Sequence, residues 1–207
     1  MKELGDLVRE GEADRVAERV RFLLDGGESP EAVLQQGLIP SMDVVGDLFQ
    51  AGNIYLPEML IAARAMKRGL EVLKPVLVES GIRSAGKVVL GAVRGDMHDI
   101  GKNLVAMALE GAGFEVIDLG VDVPPDRFVE SIEAHSPHVV GLSALITSTM
   151  ESMRETIRAI ESRGLRGKVK VMVGGAPVTE EFAVEIGADF YGPDSTAGKD
   201  YARSLLG

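Results

Sequence analysis

The chain has 207 residues, 45% of them hydrophobic, which is enough to bury the core of one large domain or two small ones. Its formal net charge is −10 with scattered positive charges, which excludes the concentrated basic patch that a nucleic-acid or anionic membrane surface needs. It contains no cysteine, so disulfides, thiolate zinc sites, iron–sulfur clusters and a cysteine nucleophile are excluded.

The N-terminal segment is charged and lacks the apolar stretch typical of a signal peptide. No apolar run approaches the length that spans a membrane. We therefore expect a cytoplasmic protein that binds neither a membrane nor a nucleic acid.

Residues 1–83 are predicted to form a helical bundle, with four or five helices joined by short turns. Apolar residues recur at helical spacing from Val16 to Leu24. Ser29 is placed as a helix cap, with Pro30 at the first helical position. The longest apolar stripe consists of Met59, Ala63, Met66, Leu70, Leu73 and Leu77.

A predicted linker over residues 79–86 leads into a second domain, residues 84–207, where the periodicity changes. Short apolar runs alternate there with amphipathic segments, which indicates parallel βαβ units with right-handed crossovers. We expect a flavodoxin-like or Rossmann-like five-stranded parallel sheet in the order 2-1-3-4-5, with helices on both faces. The five predicted strands are KVVLGAV, FEVIDLG, HVVGLSAL, VKVMVGG and ADFYG.

Three chemically distinctive turns follow strands that are neighbours in this order. GDMHDIG, residues 95–101, leaves the first strand, and SALITST, residues 143–149, leaves the third. GGAP, residues 174–177, leaves the fourth. Because ligands bind at the carboxyl ends of the strands where the winding reverses, we expect the three turns to form one site.

The first of these turns is compatible with several kinds of structure. The simplest is a helix cap, in which Asp96 or Asp99 accepts backbone N–H bonds at the start of the next helix. A phosphate or dinucleotide loop fits poorly, because the glycine spacing is wrong and two carboxylates would repel phosphate. A zinc site would need more ligands than His98 and its neighbours readily provide. His135 and His138 are interpreted as surface or hydrogen-bonded histidines.

A single axial ligand is the interpretation that accounts for the histidine. One imidazole nitrogen of His98 would bind a metal held mainly by its own macrocycle, while Asp96 would accept a hydrogen bond from the other nitrogen. A hydroxyl from the turn after the third strand, such as that of Thr149, would in turn hold Asp96. Gly174 and Gly175 would let a bulky group approach the backbone, although an ordinary strand-to-helix turn also explains them.

Three short motifs occur in order along this part of the chain. They are D-x-H-x-x-G at residues 96–101, S-x-L at residues 143–145 and Gly-Gly at residues 174–175. Together they resemble the signature of cobalamin-binding domains that bind the cofactor base-off with histidine on. The ITST segment after S-x-L resembles the methyltransferase branch of that family, in which a hydroxyl at the position of Thr149 completes a ligand triad with aspartate and histidine.

The N-terminal part of the chain carries a second resemblance. VVGDLFQAGNIYLPEMLIAARAMK is similar to the helical cap domain of cobalamin-dependent methionine synthase and of corrinoid proteins from methyl-transfer systems. The resemblance implies that Phe49 and Leu56, with Met59 beside them, cover the upper cobalt face. Without the resemblance, the core of the bundle is the preferred place for Phe49 and Leu56.

The resemblance implies a corrinoid methyl carrier, in which cobalt(I) takes up a methyl group to give methyl-cobalt(III) and a partner enzyme removes it. His98 would be the lower axial ligand, and Asp96 and Thr149 would adjust its basicity. The segment Tyr191–Asp194 would close the slot for the dimethylbenzimidazole tail. The residues expected to line the cofactor or this slot are Asp96, Met97, His98, Asp99, Ile100, Gly101, Ser143, Leu145, Thr147, Thr149, Gly174, Gly175, Tyr191 and Gly192.

The same resemblance implies partner proteins. They are a substrate:corrinoid methyltransferase, a second methyltransferase and a reductive activase, so the chain is expected to be a subunit and not a complete enzyme. A cap that covers the methyl group must move aside for transfer, and the segment Ile82–Gly86 is the predicted hinge.

Three alternatives stay open at this point. A cobalamin-dependent sensor would use a similar cap and cobalamin module, although no basic patch and no room for a helix-turn-helix before the cap are seen. The cobalamin domain of a carbon-skeleton mutase would lack the helical cap. A phosphate-binding or metal-binding flavodoxin-like module would bind no corrinoid.

Overall fold

The computed structural model describes residues 1–80 and 84–206. The predicted domain boundary after residue 83 and the predicted hinge at Ile82–Gly86 both involve residues 81–83, which lie outside the described part. Within the described part the chain divides into two units. They are residues 1–84 with 110–113, and residues 85–109 with 114–207.

The first unit is helical, as predicted. The Ser29 hydroxyl accepts a hydrogen bond from the Ala32 N–H at 3.1 Å, which confirms the predicted helix cap. A π-helical turn, Leu34–Leu38, joins α3 to α4. The helices are α1 Lys2–Arg9, α2 Ala13–Asp25, α3 Pro30–Val33, α4 Ile39–Gln50 and α5 Leu56–Glu79.

Helix α2 packs mainly against α5 in the core of this unit. Val16 and Val20 lie one helical turn apart on α2 and are fully buried. Met66 and Leu73 on α5 are buried in the same core. The helical periodicity read from the sequence therefore marks the faces that are removed from water.

The second unit is an α/β fold. Five parallel strands form one sheet in the order β2-β1-β3-β4-β5, which confirms the predicted order. Its elements are β1 Lys87–Ala92, α6 Ile100–Gly111, β2 Glu115–Asp118, α7 Pro125–His135, β3 Val139–Ser143, α8 Met150–Ser162, β4 Lys170–Gly174, α9 Glu180–Glu185, β5 Phe190–Gly192 and α10 Ser195–Ser204.

The central strands are buried on both faces. Val88, Val89 and Leu90 are consecutive in β1 and at most 3% exposed. Because successive side chains of a strand point to opposite faces, both faces of the sheet are covered at this strand. This explains why the strands appear in the sequence as continuous apolar runs and not as alternating patterns.

The strand ends form one row across the sheet. Ala92 at the end of β1 is level with Ser143 at the end of β3. Gly174 of β4 continues the row, and Gly192 of β5 completes it. Because the strands are parallel, the segments that follow these four residues leave from the same edge of the sheet. The predicted convergence of the three turns is therefore confirmed.

None of the helices in residues 1–80 and 84–206 is both long enough and apolar enough to cross a bilayer.

Candidate functional site

The segment between β1 and α6 carries the aspartate and the histidine singled out in the sequence. Gly95 has φ +83°, a backbone conformation that residues with a Cβ rarely adopt. The N–H of Asp96 donates to the Val93 carbonyl at 2.9 Å and closes this turn. Helix α6 then begins at Ile100, so His98 lies on the short stretch between the turn and the helix.

Asp96 is fully buried and accepts four hydrogen bonds. Its Oδ1 accepts from the His98 ring at Nδ1 (2.8 Å) and from the His98 N–H (3.0 Å). Its Oδ2 accepts from the Leu145 N–H (2.7 Å) and the Thr149 hydroxyl (2.8 Å). Asp96 therefore links the turn after β1 to the turn after β3, and the predicted bond from Thr149 is present. The simpler interpretation of Asp96 as a helix cap is wrong.

The hydrogen bonds keep Asp96 ionised. Burial alone raises the pKa of a carboxyl group, but the bonds from Leu145, His98 and Thr149 outweigh burial and lower the pKa of Asp96 to about 2. A carboxylate can only accept hydrogen bonds, so the proton in the Asp96–His98 bond belongs to Nδ1 of the imidazole. In the neutral ring, Nε2 then carries the free lone pair.

His98 is accessible on its other side. Its side chain is 52% exposed, while that of its partner Asp96 is fully buried. The ring is thus held from within the protein through Nδ1. This arrangement is the one that orients a histidine ligand for a metal at Nε2.

Thr149 lies at the end of a short 3₁₀ turn, residues 147–149, and is buried. Its hydroxyl is 2.8 Å from both the Asp96 Oδ2 and the Ile146 carbonyl oxygen. A hydroxyl has one proton, and a bond to a carboxylate is stronger than a bond to a neutral carbonyl. The proton is therefore assigned to the bond with Asp96.

Replacing Thr149 with valine is expected to lower the free energy of unfolding by about 2 kcal/mol, because a hydrogen bond to a buried charged group is lost. The pKa of Asp96 should rise at the same time, since Thr149 is one of the donors that lower it. Urea unfolding of the cofactor-free protein measures the first effect. Thr149→Ser keeps the hydroxyl and is the matched control. A Thr149→Val protein as stable as the wild type would contradict the assignment.

The other predicted residues of the turn after β3 lie near this bonded chain. Ser143 is half-buried, and its carbonyl accepts the Val93 N–H at 3.0 Å. Leu145 binds Asp96 through its backbone, so its side chain is free to be exposed. Thr147 is also exposed.

Four large apolar side chains around the site are exposed. Two are within two residues of His98 in sequence, and two are at or next to Leu145, whose N–H binds Asp96. Such side chains are normally withdrawn from water, and a cluster of exposed ones marks a binding surface. They are Met97, Ile100, Leu145 and Ile146. The imidazole is thus flanked by residues suited to contact a large apolar group. Asp99, also in the predicted lining, is an exposed charged residue beside them.

The glycines at the site have different reasons to be glycine. A Cβ on Gly175 would lie 1.8 Å from the Ala144 carbonyl oxygen, and one on Gly174 would lie 2.8 Å from the Gly192 carbonyl oxygen. At both positions the chain's own backbone comes too close to leave space for a Cβ. The predicted approach of a bulky ligand is therefore not needed to explain these two glycines. Gly101 differs, because a Cβ there would meet nothing within 4 Å.

The remaining predicted residues fall in two places. Tyr191 and Gly192 lie in β5 and are half-buried, while Asp194 caps α10 by accepting the Ala197 N–H at 2.8 Å. Phe49 and Leu56 are half-buried within the helical unit.

Met59 is the most buried of the three residues predicted for the cofactor's upper face. It is 2% exposed within the helical unit, where it belongs to the core. Its contact with the cofactor therefore stays a prediction.

The two other histidines are as interpreted from the sequence. His138 is exposed, and its Nδ1 accepts the Lys87 N–H at 3.1 Å. His135 is exposed at the end of α7. Among the described residues, no group of three or more His, Cys, Asp or Glu side chains is placed to hold a metal ion.

The sequence alone did not point to Asp122, which contacts the segment before His98, or to Lys102, which follows that segment on α6. Lys102, 4% exposed on α6, donates from Nζ to the Asp118 Oδ2 at 2.5 Å. Asp122 accepts the Gly95 N–H at 2.7 Å. Neither residue belongs to a motif, and the only sequence signal is their proximity to predicted strand ends.

Comparison with known proteins gives matches over nearly the whole chain. Two family models, both described as a B12 binding domain, match residues 86–199 and residues 1–74. Trimethylamine corrinoid protein 1 of Methanosarcina acetivorans is 40% identical over 203 residues, which cover 97% of this chain and 94% of that protein. Dimethylamine corrinoid protein 1 of the same organism is 43% identical over 182 residues, covering 87% and 85%.

A solved structure also matches. A chain of the methanol:cobalamin methyltransferase complex from Methanosarcina barkeri superposes with a TM-score of 0.88 at 30% identity. The match covers 98% of this chain and 78% of that chain. The likeness therefore includes both the helical and the α/β part of the sequence.

Proposed function

The chain belongs to the B12-binding corrinoid proteins of methyltransferase systems, and we propose that it carries a methyl group from a methylated amine to a second methyltransferase. Its cofactor is cobalamin or a related corrinoid. The observation that carries the proposal is the buried, ionised Asp96, which holds Nδ1 of a half-exposed His98. The sensor hypothesis receives no support, since the matched relatives are named as corrinoid proteins of methylamines.

The residues around His98 fit a large group that brings its own metal. Nε2 is the free nitrogen of the ring and lies on its accessible side. Gly101 follows three residues later in the first turn of α6, where glycine is less stable than alanine by about 1 kcal/mol. Apart from its chain neighbours and the backbone of its own helix, no described heavy atom lies within 4 Å of a Cβ placed there, and space for an external group would explain the glycine. Exposed Met97 and Ile100 add apolar contact area.

When bound, the corrinoid supplies the transfer chemistry, because its cobalt accepts a methyl group and gives it up again. The chain's own residues orient and tune the ligand. His98 would bind the metal through Nε2, while Asp96 keeps the proton on Nδ1 and thereby raises the basicity of Nε2. Thr149 and the Leu145 amide hold the carboxylate in place.

We further propose that the strand-end row borders the slot for the nucleotide tail. The row consists of Ala92, Ser143, Gly174 and Gly192, all residues with small side chains or none. Small residues leave room above a sheet edge for a planar group. Leu145, Thr147 and Tyr191 lie next to the row in sequence and would contact the tail from its sides.

For the upper face of the corrinoid we propose Phe49 and Leu56. Both are half-buried in the helical unit, so part of each side chain is available for contact with a ligand. Met59, also predicted for this face, is 2% exposed and would contribute less contact area. An apolar cover there would keep water from the methyl group.

The proposed partner proteins are methyltransferases, as the matched relatives suggest. Corrinoid proteins of this family work with methyltransferases, and the matched methanol:cobalamin methyltransferase structure is a complex. Methylated amines are preferred as the donor class because relatives named for trimethylamine and dimethylamine are 40% and 43% identical, compared with 30% for the chain in the methanol complex. A second methyltransferase and a reductive activase complete the proposed cycle.

The test is a methylation assay on the reconstituted protein. The protein is loaded with hydroxocobalamin, reduced, and mixed in turn with the trimethylamine, dimethylamine and methanol methyltransferases of Methanosarcina, each with its own substrate. Loss of the reduced-cobalt absorption band reports methyl uptake. We expect fast loss with an amine system and slow loss with the methanol system, and no loss when the methylated substrate is left out.

Two results would contradict the proposal at different levels. A protein that retains no cobalamin after gel filtration would contradict the carrier function. A protein that is methylated only by the methanol system would contradict the amine donor and leave the carrier function intact.

A further inference from the structure

We propose that Asp122 is a positioning residue for His98, which holds the loop that carries the imidazole in its metal-binding conformation before the corrinoid arrives. The inference rests on the proposed function, because it assigns a partner to the proposed ligand. Asp122 lies between β2 and α7, a segment that contributes no residue to the motifs read from the sequence.

Asp122 joins its loop to the His98 loop with two hydrogen bonds in opposite directions. Its Oδ1 accepts the Gly95 N–H at 2.7 Å, and its own N–H donates to the Asp96 carbonyl at 2.9 Å. The next residue, Val123, donates its N–H to the Ala92 carbonyl at 2.9 Å. The backbone on the N-terminal side of His98 is therefore held at three successive points by one segment.

The backbone of Asp122 is itself unusual. Its φ of +52° places it in the left-handed region, and among the described non-glycine residues only Ser136 shares this feature. Aspartate is one of the few residue types that adopt this conformation with some frequency. A sparsely populated conformation persists only where surrounding contacts determine it, and such positions concentrate at functional sites.

A second connection holds the other end of the same segment. Lys102 reaches from α6 to Asp118, and the Asp118 Oδ1 accepts the Gly120 N–H at 2.9 Å. Lys102 also donates to the Asn103 Oδ1 at 2.7 Å. Asp122 on one side and Asp118 on the other therefore hold the stretch from Gly95 to Lys102, with His98 between them.

These contacts matter because His98 has little support of its own. Its ring is half exposed, and the one ring bond the structure gives it goes to Asp96. The position of the Asp96 side chain depends on the backbone that Asp122 holds at Gly95 and at the Asp96 carbonyl. A ligand held in place before binding loses less freedom on coordination, so we expect Asp122 to speed coordination and to favour the ligated form.

Three variants of Asp122 separate the hydrogen bond from the backbone conformation. Asp122→Asn keeps an oxygen acceptor and tolerates a left-handed φ, so it should behave like the wild type. Asp122→Gly accepts the conformation and removes the acceptor. Asp122→Ala removes the acceptor and strains the backbone. We expect the glycine and alanine variants to bind cobalamin with roughly tenfold lower affinity than the wild type. A smaller fraction of the bound cobalamin should show the histidine-ligated spectrum.

A second measurement uses the cofactor-free protein. Hydrogen exchange of the Gly95 amide should become roughly tenfold faster in Asp122→Gly, since this amide loses its acceptor. Ser136→Gly is the matched control, because it changes the other left-handed non-glycine residue, at the C-terminal end of α7. It should alter neither the spectrum nor the exchange of Gly95.

The outcomes are distinguishable from failure of the proposed function. If Asp122→Gly shows wild-type exchange at Gly95 and a wild-type histidine-ligated spectrum, the positioning assignment is overturned. If Gly95 exchange rises while the spectrum and affinity stay at wild-type levels, the bond exists but does not position His98, and the assignment is also overturned. Failure of the wild type to bind cobalamin would contradict the carrier function itself.

Discussion

Replacing His98 with alanine is expected to abolish the histidine-ligated spectrum of the cobalamin-loaded protein and to weaken cobalamin binding. The imidazole is the proposed ligand, and its removal should cost more than the 10- to 100-fold in metal affinity that loss of an outer hydrogen-bond partner typically costs. Absorption spectra at saturating cobalamin and a binding titration measure the two effects. The free energy of unfolding should also fall, because the bond from Nδ1 to the buried Asp96 is lost, so the spectra are compared on protein shown to be folded by circular dichroism.

Two controls make this result specific. His135→Ala removes another exposed histidine and should keep the wild-type spectrum and affinity. Free imidazole added to His98→Ala should restore a nitrogen-ligated spectrum, because the space left by the ring is open to solvent. Identical spectra of wild type and His98→Ala would show that the metal ligand is a different group.

Replacing Gly175 with alanine is expected to lower the free energy of unfolding by more than about 4 kcal/mol, an effect large enough to threaten a domain of ordinary stability. A Cβ at this position would lie 1.8 Å from the Ala144 carbonyl oxygen, and φ is +132°. The obstacle is backbone and cannot rotate away. The turns after β3 and β4 would have to separate, and Ala144 is next to Leu145, whose amide binds Asp96.

Gly187→Ala is the matched control for the backbone strain. Gly187 also has a left-handed φ of +79°, but a Cβ there would meet nothing within 4 Å. Its substitution should cost only about 1 kcal/mol. Urea unfolding followed by circular dichroism compares the variants. An equal decrease in the free energy of unfolding for Gly175→Ala and Gly187→Ala would mean that the turns after β3 and β4 can separate without further destabilising the protein. The steric explanation would then be wrong.

The fold and the centre of the site could be predicted because their signals are periodic or local. Continuous apolar runs alternating with amphipathic segments predicted the strand order, and parallel strands must end at a common edge. That order places the turns of Asp96 and Thr149 side by side, and the resemblance to the methyltransferase branch singled out Thr149 among the hydroxyls of its turn.

Asp122 and Lys102 could not be found in this way. A left-handed aspartate leaves no pattern in the sequence, and its bond to Gly95 exists only once β1 and β2 are paired. Lys102 occupies a position that an amphipathic pattern assigns to solvent, and it is buried because Asp118 accepts its charge. The sequence analysis singled out Gly175 because a glycine would let a ligand approach the backbone, whereas the structure shows that a Cβ there would collide with the Ala144 carbonyl oxygen. Such a collision between two turns cannot be predicted before the turns are placed.

The carboxylate at the centre of the site has a consequence for how the chain folds. Its bonds to Leu145 and Thr149 span 49 and 53 residues, and the bond from Gly95 to Asp122 spans 27. Contacts of such high sequence separation form slowly, because loop-closure entropy must be overcome first. Within each of the helices α1 to α5 the backbone hydrogen bonds are local, so the helices themselves need not wait for these contacts. We therefore expect the refolding chain to bind the corrinoid only at a late stage, after β1 and β3 have paired.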